Sequence, residues 1–128
     1  MGSDTHQLAA AQLTEKERRT IERFTSRLCD ELGDDLRALW LYGSRARGEA
    51  GDDSDVDLLV IADGGRGRYQ RIAGDLSEAA AIAEGESPFS FSVHTQDLQW
   101  LRGRREIDSF FIREVDRDKI VLVGSGLE

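Results

Sequence analysis

The 128-residue sequence lacks several features that would place a protein outside the cytoplasm. Cys29 is its only cysteine, so no internal disulfide can form, which is typical of proteins in a reducing compartment. No apolar run approaches the roughly 20 residues that a membrane-spanning helix needs. The first residues also lack the basic and apolar regions of a secretory signal. These absences predict a globular, cytoplasmic protein with no membrane segment.

Positive charge is scarce as well. The chain has 17 lysine and arginine residues against 25 aspartate and glutamate residues, which gives a net charge of −8. Proteins that bind nucleic acid mainly by neutralising phosphates need a large basic surface. We therefore expect no direct binding of nucleic acid. The length fits one domain with a proper core, so residues 1–128 are predicted to form a single domain.

Hydrophobic spacing predicts a succession of helices and strands. Apolar residues at helical spacing favour a helix over 12–33, in which Thr14 and Glu17 form a capping box and Gly33 marks the end. Further helices are predicted at 68–84, around 95–103 with Thr95 as its N-cap, and at 106–118. Strands are predicted at 36–42, 55–62, 87–95 and 119–124. This order favours an α+β fold, a small mixed sheet with helices packed on it.

Two of these segments carry further expectations. The glycine-rich stretch "DGGRG" at 63–67 is predicted to be a turn, because the full G-x-G-x-x-G pattern of dinucleotide sites is missing. In the strand at 87–95 successive side chains alternate between the two faces. This alternation predicts Phe89, Phe91 and Val93 on one face and Ser90, Ser92 and His94 on the other.

The stretch "DVDLLVIA" at 55–62 places two carboxylates at the start of a buried strand. Because side chains alternate along a strand, Asp55 and Asp57 are predicted to project from the same face as Leu59 and Ile61. Two carboxylates beside a hydrophobic layer repel each other, and removing their charge from water is costly. The pattern therefore indicates that a cation compensates them.

Several kinds of site are incompatible with these aspartates. An EF-hand loop starting at Asp53 would need glycine and glutamate where Leu58 and Gly64 stand. One cysteine and two scattered histidines do not make a zinc site. The sequence contains neither the G-x-S-x-G pattern of a nucleophile elbow nor the Gly-Lys-Ser/Thr of a Walker A loop. A glycosidase site is also incompatible, because two carboxylates on one strand face lie too close together to flank a sugar. The remaining interpretation is a Mg²⁺ site for a nucleoside triphosphate, because Mg²⁺ is commonly held by one or two carboxylates and substrate phosphates.

A glycine–serine turn supplies the second half of this predicted site. Gly43 and Ser44 follow the strand at 36–42, where backbone N–H groups and the serine hydroxyl can face phosphate oxygens. A glycine there lets the backbone approach a ligand closely. Arg45 and Arg47 come next, and each is either an additional positive charge for the phosphates or an ordinary surface arginine.

The string "GSRARGEAGDDSDVDLLV" at 43–60 resembles the G-S-x10-D-x-D motif of the minimal nucleotidyltransferases, which are small members of the DNA polymerase β-like superfamily. The matching positions are Gly43, Ser44, Ala46, Arg47, Gly48, Ser54, Asp55, Asp57 and Leu58. The resemblance implies the polymerase β-like nucleotidyltransferase fold. It also implies transfer of AMP from ATP, with Asp55 and Asp57 as catalytic residues and Mg²⁺ ligands, and with Gly43, Ser44 and Arg47 at the nucleotide.

The resemblance further implies a protein partner. Many members of this family are the antitoxin of a toxin–antitoxin pair whose toxin is a HEPN-type ribonuclease, and some adenylylate a tyrosine of that toxin. A hydroxyl of the partner is then the acceptor. The segment at 98–115, "LQWLRGRREIDSFFIREV", carries more large apolar groups than one side of a helix can bury, so an exposed aromatic there would mark a partner surface. The sequence leaves a homo-oligomer open.

One position departs from the family pattern. Active members carry a third carboxylate on a later strand, and Ser92 stands at that position here. Two metals clamp the attacking and leaving oxygens in this type of displacement, so the loss of a ligand weakens activation of the attacking hydroxyl. His94 is a candidate general base in its place. The alternative function is therefore a non-catalytic, nucleotide-binding antitoxin or binding module. A small-molecule nucleotidyltransferase is disfavoured because those enzymes usually add a second domain.

Overall fold

The computed structural model describes residues 11–48 and 54–128. The start of the chain, where a secretory signal was sought, and residues 49–53 of the quoted motif lie outside the described part. In chain order the elements are α1 (Glu15–Leu32), β1 (Leu36–Tyr42), α2 (Ser44–Arg47), β2 (Val56–Ala62), α3 (Arg66–Ala83), β3 (Phe91–Gln96), α4 (Leu98–Glu106), α5 (Phe110–Asp118) and β4 (Ile120–Gly124). Single turns of 3-10 helix cover Gly33–Asp35 and Pro88–Ser90. No helix within the described ranges is long and apolar enough to cross a bilayer.

The four strands form one sheet in the order β3-β2-β1-β4. β1 is antiparallel to both β2 and β4, whereas β2 and β3 are parallel. Helices α1 and α3 cover one face, where the core includes Phe24, Leu28, Leu41, Leu58 and Val60. Helices α4 and α5 cover the other face, where the core includes Trp40, Leu59, Ile61, Leu101 and Ile112. The predicted α+β class, a mixed sheet with helices packed on it, is confirmed.

Helix α1 begins with the predicted capping box. The backbone N–H of Glu17 donates to Thr14 Oγ1 at 3.1 Å, and the backbone N–H of Thr14 donates to Glu17 Oε1 at 2.8 Å. Gly33 ends the helix with φ at 54°, a conformation that a residue without a Cβ adopts easily. This cap also fixes the position of the Glu17 carboxylate, which matters for the site described below.

Strand β3 is shorter than predicted. Pro88 starts a 3-10 turn instead of a strand, and Phe89 is consequently 90% exposed, not directed at the core. Phe91 is buried as expected, and Val93 packs against the same core. The following helix is capped by Asp97, whose Oδ1 accepts the Trp100 N–H at 2.8 Å. The prediction of Thr95 as that N-cap is wrong, because Thr95 is still part of β3 and buried.

The helix predicted over 106–118 begins later than predicted, at Phe110. Helix α4 continues to Glu106, and the chain then turns at Asp108, which has a positive φ of 51°. Ser109 caps α5 by accepting the Ile112 N–H at 3.2 Å. The turn at 63–67 is also shorter than predicted, because α3 already begins at Arg66.

The edge of the sheet at β3 is covered by a side chain of α3. Gln70 donates from Nε2 to the Val93 carbonyl at 3.2 Å and accepts the Thr95 N–H on Oε1 at 2.7 Å. Both backbone groups belong to the side of β3 that has no neighbouring strand. One side chain therefore satisfies a donor and an acceptor of the edge.

Candidate functional site

Strand pairing brings the two halves of the sequence motif together. Tyr42, the last residue of β1, pairs with Asp57 of β2, so Gly43 follows directly beside the aspartate. A Cβ placed on Gly43 would lie 2.5 Å from Asp57 Oδ2, and φ of Gly43 is 80°. The positive φ favours glycine at this position, and the close approach means that a Cβ would displace the Asp57 carboxylate. The Asp57 carboxylate therefore faces the glycine–serine turn without an intervening side chain.

The two aspartates form a region of concentrated negative charge. Asp57 is half-buried on the face that carries Leu59, and Asp55 is exposed just before the strand begins. Burial raises the pKa of Asp57, and the charge of Asp55 raises it further, whereas the charges of His94 and Arg45 lower it. The ionised form of Asp57 is therefore less favourable here than in an exposed aspartate. This is the electrostatic environment that a bound cation relieves.

Ser92 lies beside Asp57. The two residues pair in the parallel ladder of β2 and β3, and His94 pairs with Leu59 two positions further along. Paired residues share a face of the sheet, so Ser92 lies next to Asp57 on the same face. Over residues 11–48 and 54–128, no group of three or more histidine, cysteine, aspartate or glutamate side chains gathers in one place. Two carboxylates suit Mg²⁺ that takes its other ligands from phosphates and water, and they do not suit zinc.

Arg45 is not an ordinary surface arginine. Its side chain is buried, and Nη1 donates to Glu17 Oε1 at 2.7 Å and to the Gln12 carbonyl at 3.1 Å. Nε donates to Ser54 Oγ at 2.9 Å, and Nη2 donates to the Ser54 carbonyl at 2.9 Å. Arg45 thus joins the start of α1 to the residue that precedes Asp55. The sequence gives no signal for this role, because Glu17 is 28 residues away.

Burial by itself would raise the pKa of Glu17. The hydrogen bond from Arg45, the capping hydrogen bond from the Thr14 backbone and the positive charge of Arg45 outweigh that effect, and they hold the pKa of Glu17 below its ordinary value. Glu17 is therefore ionised and paired inside the protein. The pair anchors α2, which carries Ser44 and Arg47, against the first turn of α1.

The remaining predicted site residues lie on α2. Ser44 is its first residue and is partly exposed next to Gly43. Arg47 is at its last position, and its Nη1 lies 3.2 Å from Asp118 Oδ2 of α5. The structure therefore brings Gly43, Ser44, Asp57 and Ser92 together, and it directs the Arg47 guanidinium towards an ion pair with α5.

A small cavity lies on the same face of the sheet as Asp57. Its volume is about 150 Å³, and its walls are Tyr42, Leu59, His94, Gln96, Trp100 and Phe111. Burial and the neighbouring charge of Asp57 raise the pKa of Tyr42 to about 12, so the phenol stays neutral. The sequence analysis singled out the histidine of this set as a site residue, placed Trp100 and Phe111 only in a candidate partner surface, and did not single out Gln96. Only the packing of α4 and α5 on the sheet brings them together.

Exposed apolar side chains lie at the turn between α4 and α5. Ile107 is 68% exposed, Phe110 is 70% exposed and Phe111 is 42% exposed, whereas Leu101 and Ile112 are buried. The segment therefore contains the exposed aromatic side chains that the sequence analysis named as the mark of a partner surface. Phe111 also contributes to the cavity, so this apolar surface is continuous with the candidate site.

Known proteins resemble the chain in sequence. A family described as "Nucleotidyltransferase domain" matches residues 21–122, a range that includes both aspartates and all four strands of the sheet except the last two residues of β4. A 42-residue segment is 50% identical to a Methanocaldococcus jannaschii protein named "Putative protein adenylyltransferase MJ1305". That segment covers 33% of this chain and 29% of the relative, so the chain matches less than a third of the relative's length.

Solved structures resemble it in fold. A crystal structure of a toxin–antitoxin with AMP-PNP aligns with a TM-score of 0.50 and 22% identity, over 81% of this chain and 73% of that one. A tri-AMPylated Shewanella oneidensis HEPN toxin in complex with MNT antitoxin aligns with a TM-score of 0.46 and 18% identity, over 86% of this chain and 73% of that one. The first likeness shows that the architecture described above occurs in a known structure.

Proposed function

Because the chain belongs to the nucleotidyltransferase domain family, we propose that it transfers AMP from ATP to a hydroxyl of a partner protein. The observation that carries the proposal is the direct contact between the glycine–serine turn and the Asp57 carboxylate. Backbone N–H groups of the turn would bind the triphosphate, and the two carboxylates would hold the Mg²⁺ that neutralises its charge. Residues 1–128 act as one nucleotidyltransferase domain in this proposal.

Each residue of the site has a defined task in this reaction. Gly43 and Ser44 bind phosphate oxygens through the backbone and the hydroxyl, and Arg47 adds positive charge if its pair with Asp118 opens. Asp55 and Asp57 would hold Mg²⁺, which neutralises charge on the triphosphate when bound. The raised pKa of Asp57 supports this assignment, because a cation offsets both the burial and the charge of Asp55.

The transfer itself makes one bond and breaks one. The acceptor oxygen forms a bond to the α-phosphorus, the bond from that phosphorus to the bridging oxygen breaks, and pyrophosphate leaves. The proton of the acceptor hydroxyl must pass to a base near Asp57. Ser92 is the neighbouring residue, and a serine hydroxyl does not accept a proton as a carboxylate does. His94 lies two positions along the same strand face and is the base we assign.

The partner we propose is a HEPN-type toxin, for which this chain acts as the antitoxin. The sequence motif at 43–60 resembles that of the minimal nucleotidyltransferase antitoxins, and the exposed side chains of Ile107 and Phe110 supply an apolar surface beside the site. ATP as substrate agrees with a cytoplasmic location. A net charge of −8 supports binding to a protein partner over direct binding to nucleic acid.

A second function is favoured by one specific observation. Ser92 pairs with Asp57, and the resemblance of the motif implies an acid at that position in active members, so a chain that binds ATP and inhibits the toxin by contact alone is the alternative. Both functions predict nucleotide binding at Asp55 and Asp57. They differ in whether AMP is transferred from ATP to the toxin.

Calorimetric titration of ATP with and without Mg²⁺ tests nucleotide binding. We expect the double variant Asp55→Asn/Asp57→Asn to bind Mg²⁺·ATP at least about tenfold more weakly than the wild type. The matched control is Asp30→Asn/Asp34→Asn, which removes two exposed carboxylates before β1 and should bind normally. Equal affinity of both double variants for Mg²⁺·ATP would contradict the proposed site.

Transfer of label from ATP to the co-purified toxin separates the two functions. Label on the toxin, lost in the Asp55→Asn/Asp57→Asn variant, supports catalysis. Tight binding to the toxin with no label transfer supports the non-catalytic antitoxin.

A further inference from the structure

We propose that Arg45 is a positioning residue for the Asp55–Asp57 pair, because it holds in place the backbone that leads into Asp55. The inference rests on the proposed function, since it assumes that both carboxylates bind Mg²⁺ together with ATP. It adds to that function a residue that contacts neither the nucleotide nor the metal. The role has a measurable consequence, because it affects ATP binding with Mg²⁺ and not ATP binding without it.

The two aspartates are held to different degrees by the sheet. Asp57 lies within β2 and pairs with Tyr42 on one side and with Ser92 on the other. Asp55 comes before Val56, the first residue of the strand, and it is exposed. Two carboxylates that share a site also repel each other. Asp55 therefore needs a support outside the sheet if both carboxylates are to face one metal ion.

Arg45 provides this support through Ser54. Its Nε donates to Ser54 Oγ and its Nη2 donates to the Ser54 carbonyl, each at 2.9 Å. The Ser54 carbonyl and the Asp55 N–H belong to one planar peptide group. Because the guanidinium is planar and rigid, two hydrogen bonds from it fix the orientation of this segment as well as its distance. The direction in which the chain enters Asp55 is therefore set by Arg45.

The Arg45 side chain is itself held in one place. Nη1 donates to Glu17 Oε1 at 2.7 Å and to the Gln12 carbonyl at 3.1 Å, and the residue is only 6% exposed. The backbone carbonyl of Arg45 also accepts the Gln12 N–H at 2.9 Å. The guanidinium thus bonds the first turn of α1, the segment before it and Ser54. The support is therefore preorganised before any ligand binds.

Arg45 also connects the two halves of the site. It follows Ser44 in α2, so the same short helix carries the hydroxyl expected at the phosphates and the guanidinium that holds Ser54. Arg45 and Ser54 are nine residues apart in the sequence. The guanidinium therefore sets how far Asp55 lies from the glycine–serine turn. A metal ion that binds both a carboxylate and a phosphate depends on this distance.

The contacts of Arg45 argue against a direct role in phosphate binding. All three guanidinium nitrogens already donate to protein oxygens, and Glu17 offsets the positive charge. A phosphate could reach the guanidinium only by displacing these acceptors from a buried position. Burial raises the pKa of Asp57 more than the charge of Arg45 lowers it. Arg45 thus acts through Ser54, by position more than by charge.

The ratio of the ATP dissociation constants in EDTA and in Mg²⁺ tests this role, because it measures what the metal adds to binding. Arg45→Lys keeps a positive charge beside Glu17 but lacks the rigid fork that bonds Ser54 twice. Changes behind a metal ligand typically cost about 10- to 100-fold in metal affinity. We expect Arg45→Lys to lower the ratio about tenfold, with ATP affinity in EDTA changed by less than about twofold.

The matched control is Arg23→Lys. Arg23 also donates from Nε and Nη2 to a single residue, Glu84, at 3.2 Å and 2.7 Å. This pair joins α1 to the end of α3 and involves none of the site residues. Loss of the fork there should leave the ratio unchanged.

Variants of Ser54 test the same contact without changing the buried pair. Ser54→Ala removes the hydroxyl that accepts from Arg45 Nε, and it should lower the ratio about two- to fivefold. Ser54→Thr keeps a hydroxyl and should keep the ratio near the wild-type value. If Arg45→Lys does not fold, these two variants decide.

The outcomes separate this inference from the proposed function. A wild-type ratio above one that is unchanged in Arg45→Lys and Ser54→Ala would overturn the positioning role alone. Equal losses of ATP affinity in Mg²⁺ and in EDTA would also overturn it, because they would show that Arg45 supports the fold or contacts phosphate. A wild-type ratio near one, or no ATP binding at all, would overturn the proposed function and this inference together.

Discussion

Replacement of Arg45 by methionine should lower the free energy of unfolding by about 3 kcal/mol. The side chains of Arg45 and Glu17 are each 8% exposed, so the variant leaves the Glu17 carboxylate inside the protein without its cationic partner. Removing one member of a buried pair costs about 3–5 kcal/mol. We expect the lower end of that range because the Thr14 N–H still donates to the same carboxylate.

Urea unfolding of the wild type, Arg45→Met, Glu17→Gln and the double variant measures this loss and the coupling between the two side chains. The matched control is Arg113→Met, which breaks an ion pair with Asp108 whose side chains are 58% and 69% exposed. That control should cost less than about 1 kcal/mol. Similar losses in Arg45→Met and Arg113→Met would refute the buried-pair argument.

The free energy of unfolding should depend on pH in opposite directions through Glu17 in the wild type and in Arg45→Met. In the wild type the pKa of Glu17 lies below its ordinary value, so its contribution is present above about pH 4.3 and is lost as pH falls through the folded-state pKa. In Arg45→Met the unpartnered carboxylate should have a raised pKa. The free energy of unfolding of the variant should therefore recover, relative to wild type, as the pH is lowered towards 5. A constant difference between the two proteins from pH 7 to pH 5 would contradict this account.

Three further changes have expected outcomes. Gly124→Ala should lower the free energy of unfolding by at least about 2 kcal/mol in urea, because φ is 75° and the new Cβ would overlap the backbone carbonyl of Arg37. Gly43→Ala should cost about 1–2 kcal/mol through its φ of 80°, yet abolish ATP binding in calorimetry, because the methyl group displaces the Asp57 carboxylate. Ser92→Asp should raise label transfer from ATP to the partner, because it places a third carboxylate beside Asp57.

Each of these expectations has a contradicting result. Unchanged stability of Gly124→Ala would mean that β1 and β4 are not as closely paired as described. If folded Gly43→Ala binds ATP with normal affinity, the glycine–serine turn does not form part of the phosphate-binding site. Fast transfer by the wild type with no gain in Ser92→Asp would assign the role of the acid to another residue, of which His94 is the first candidate.

Local patterns predicted much of the fold. The capping box of Thr14 and Glu17 and the bounds of β1 depend on neighbouring residues alone, and both occur as predicted. The predictions were wrong where a residue type fits two kinds of local structure. Phe89 fits an alternating strand, but Pro88 starts a 3-10 turn and directs it outward. Thr95 fits an N-cap, but the ladder with β2 continues through it, and Asp97 takes that role.

The candidate site was predictable only in part. Residues Gly43 and Asp57 share one recognisable string, so their proximity follows from the pairing of two adjacent strands. The buried pair of Arg45 with Glu17 depends on how α1 crosses the sheet, which no spacing encodes. The same holds for Gln96, which meets the aromatic side chains of α4 and α5 only after those helices pack.

The glutamine on α3 that bonds the outer side of β3 has a consequence for behaviour at high concentration. A carboxamide has the same donor and acceptor as a peptide group, so Gln70 stands where the backbone of a fifth strand would pair with Val93 and Thr95. A second molecule could extend the sheet at the β3 edge only by displacing this side chain. Gln70 therefore prevents the sheet from growing at the β3 edge by satisfying the backbone groups that another strand would need.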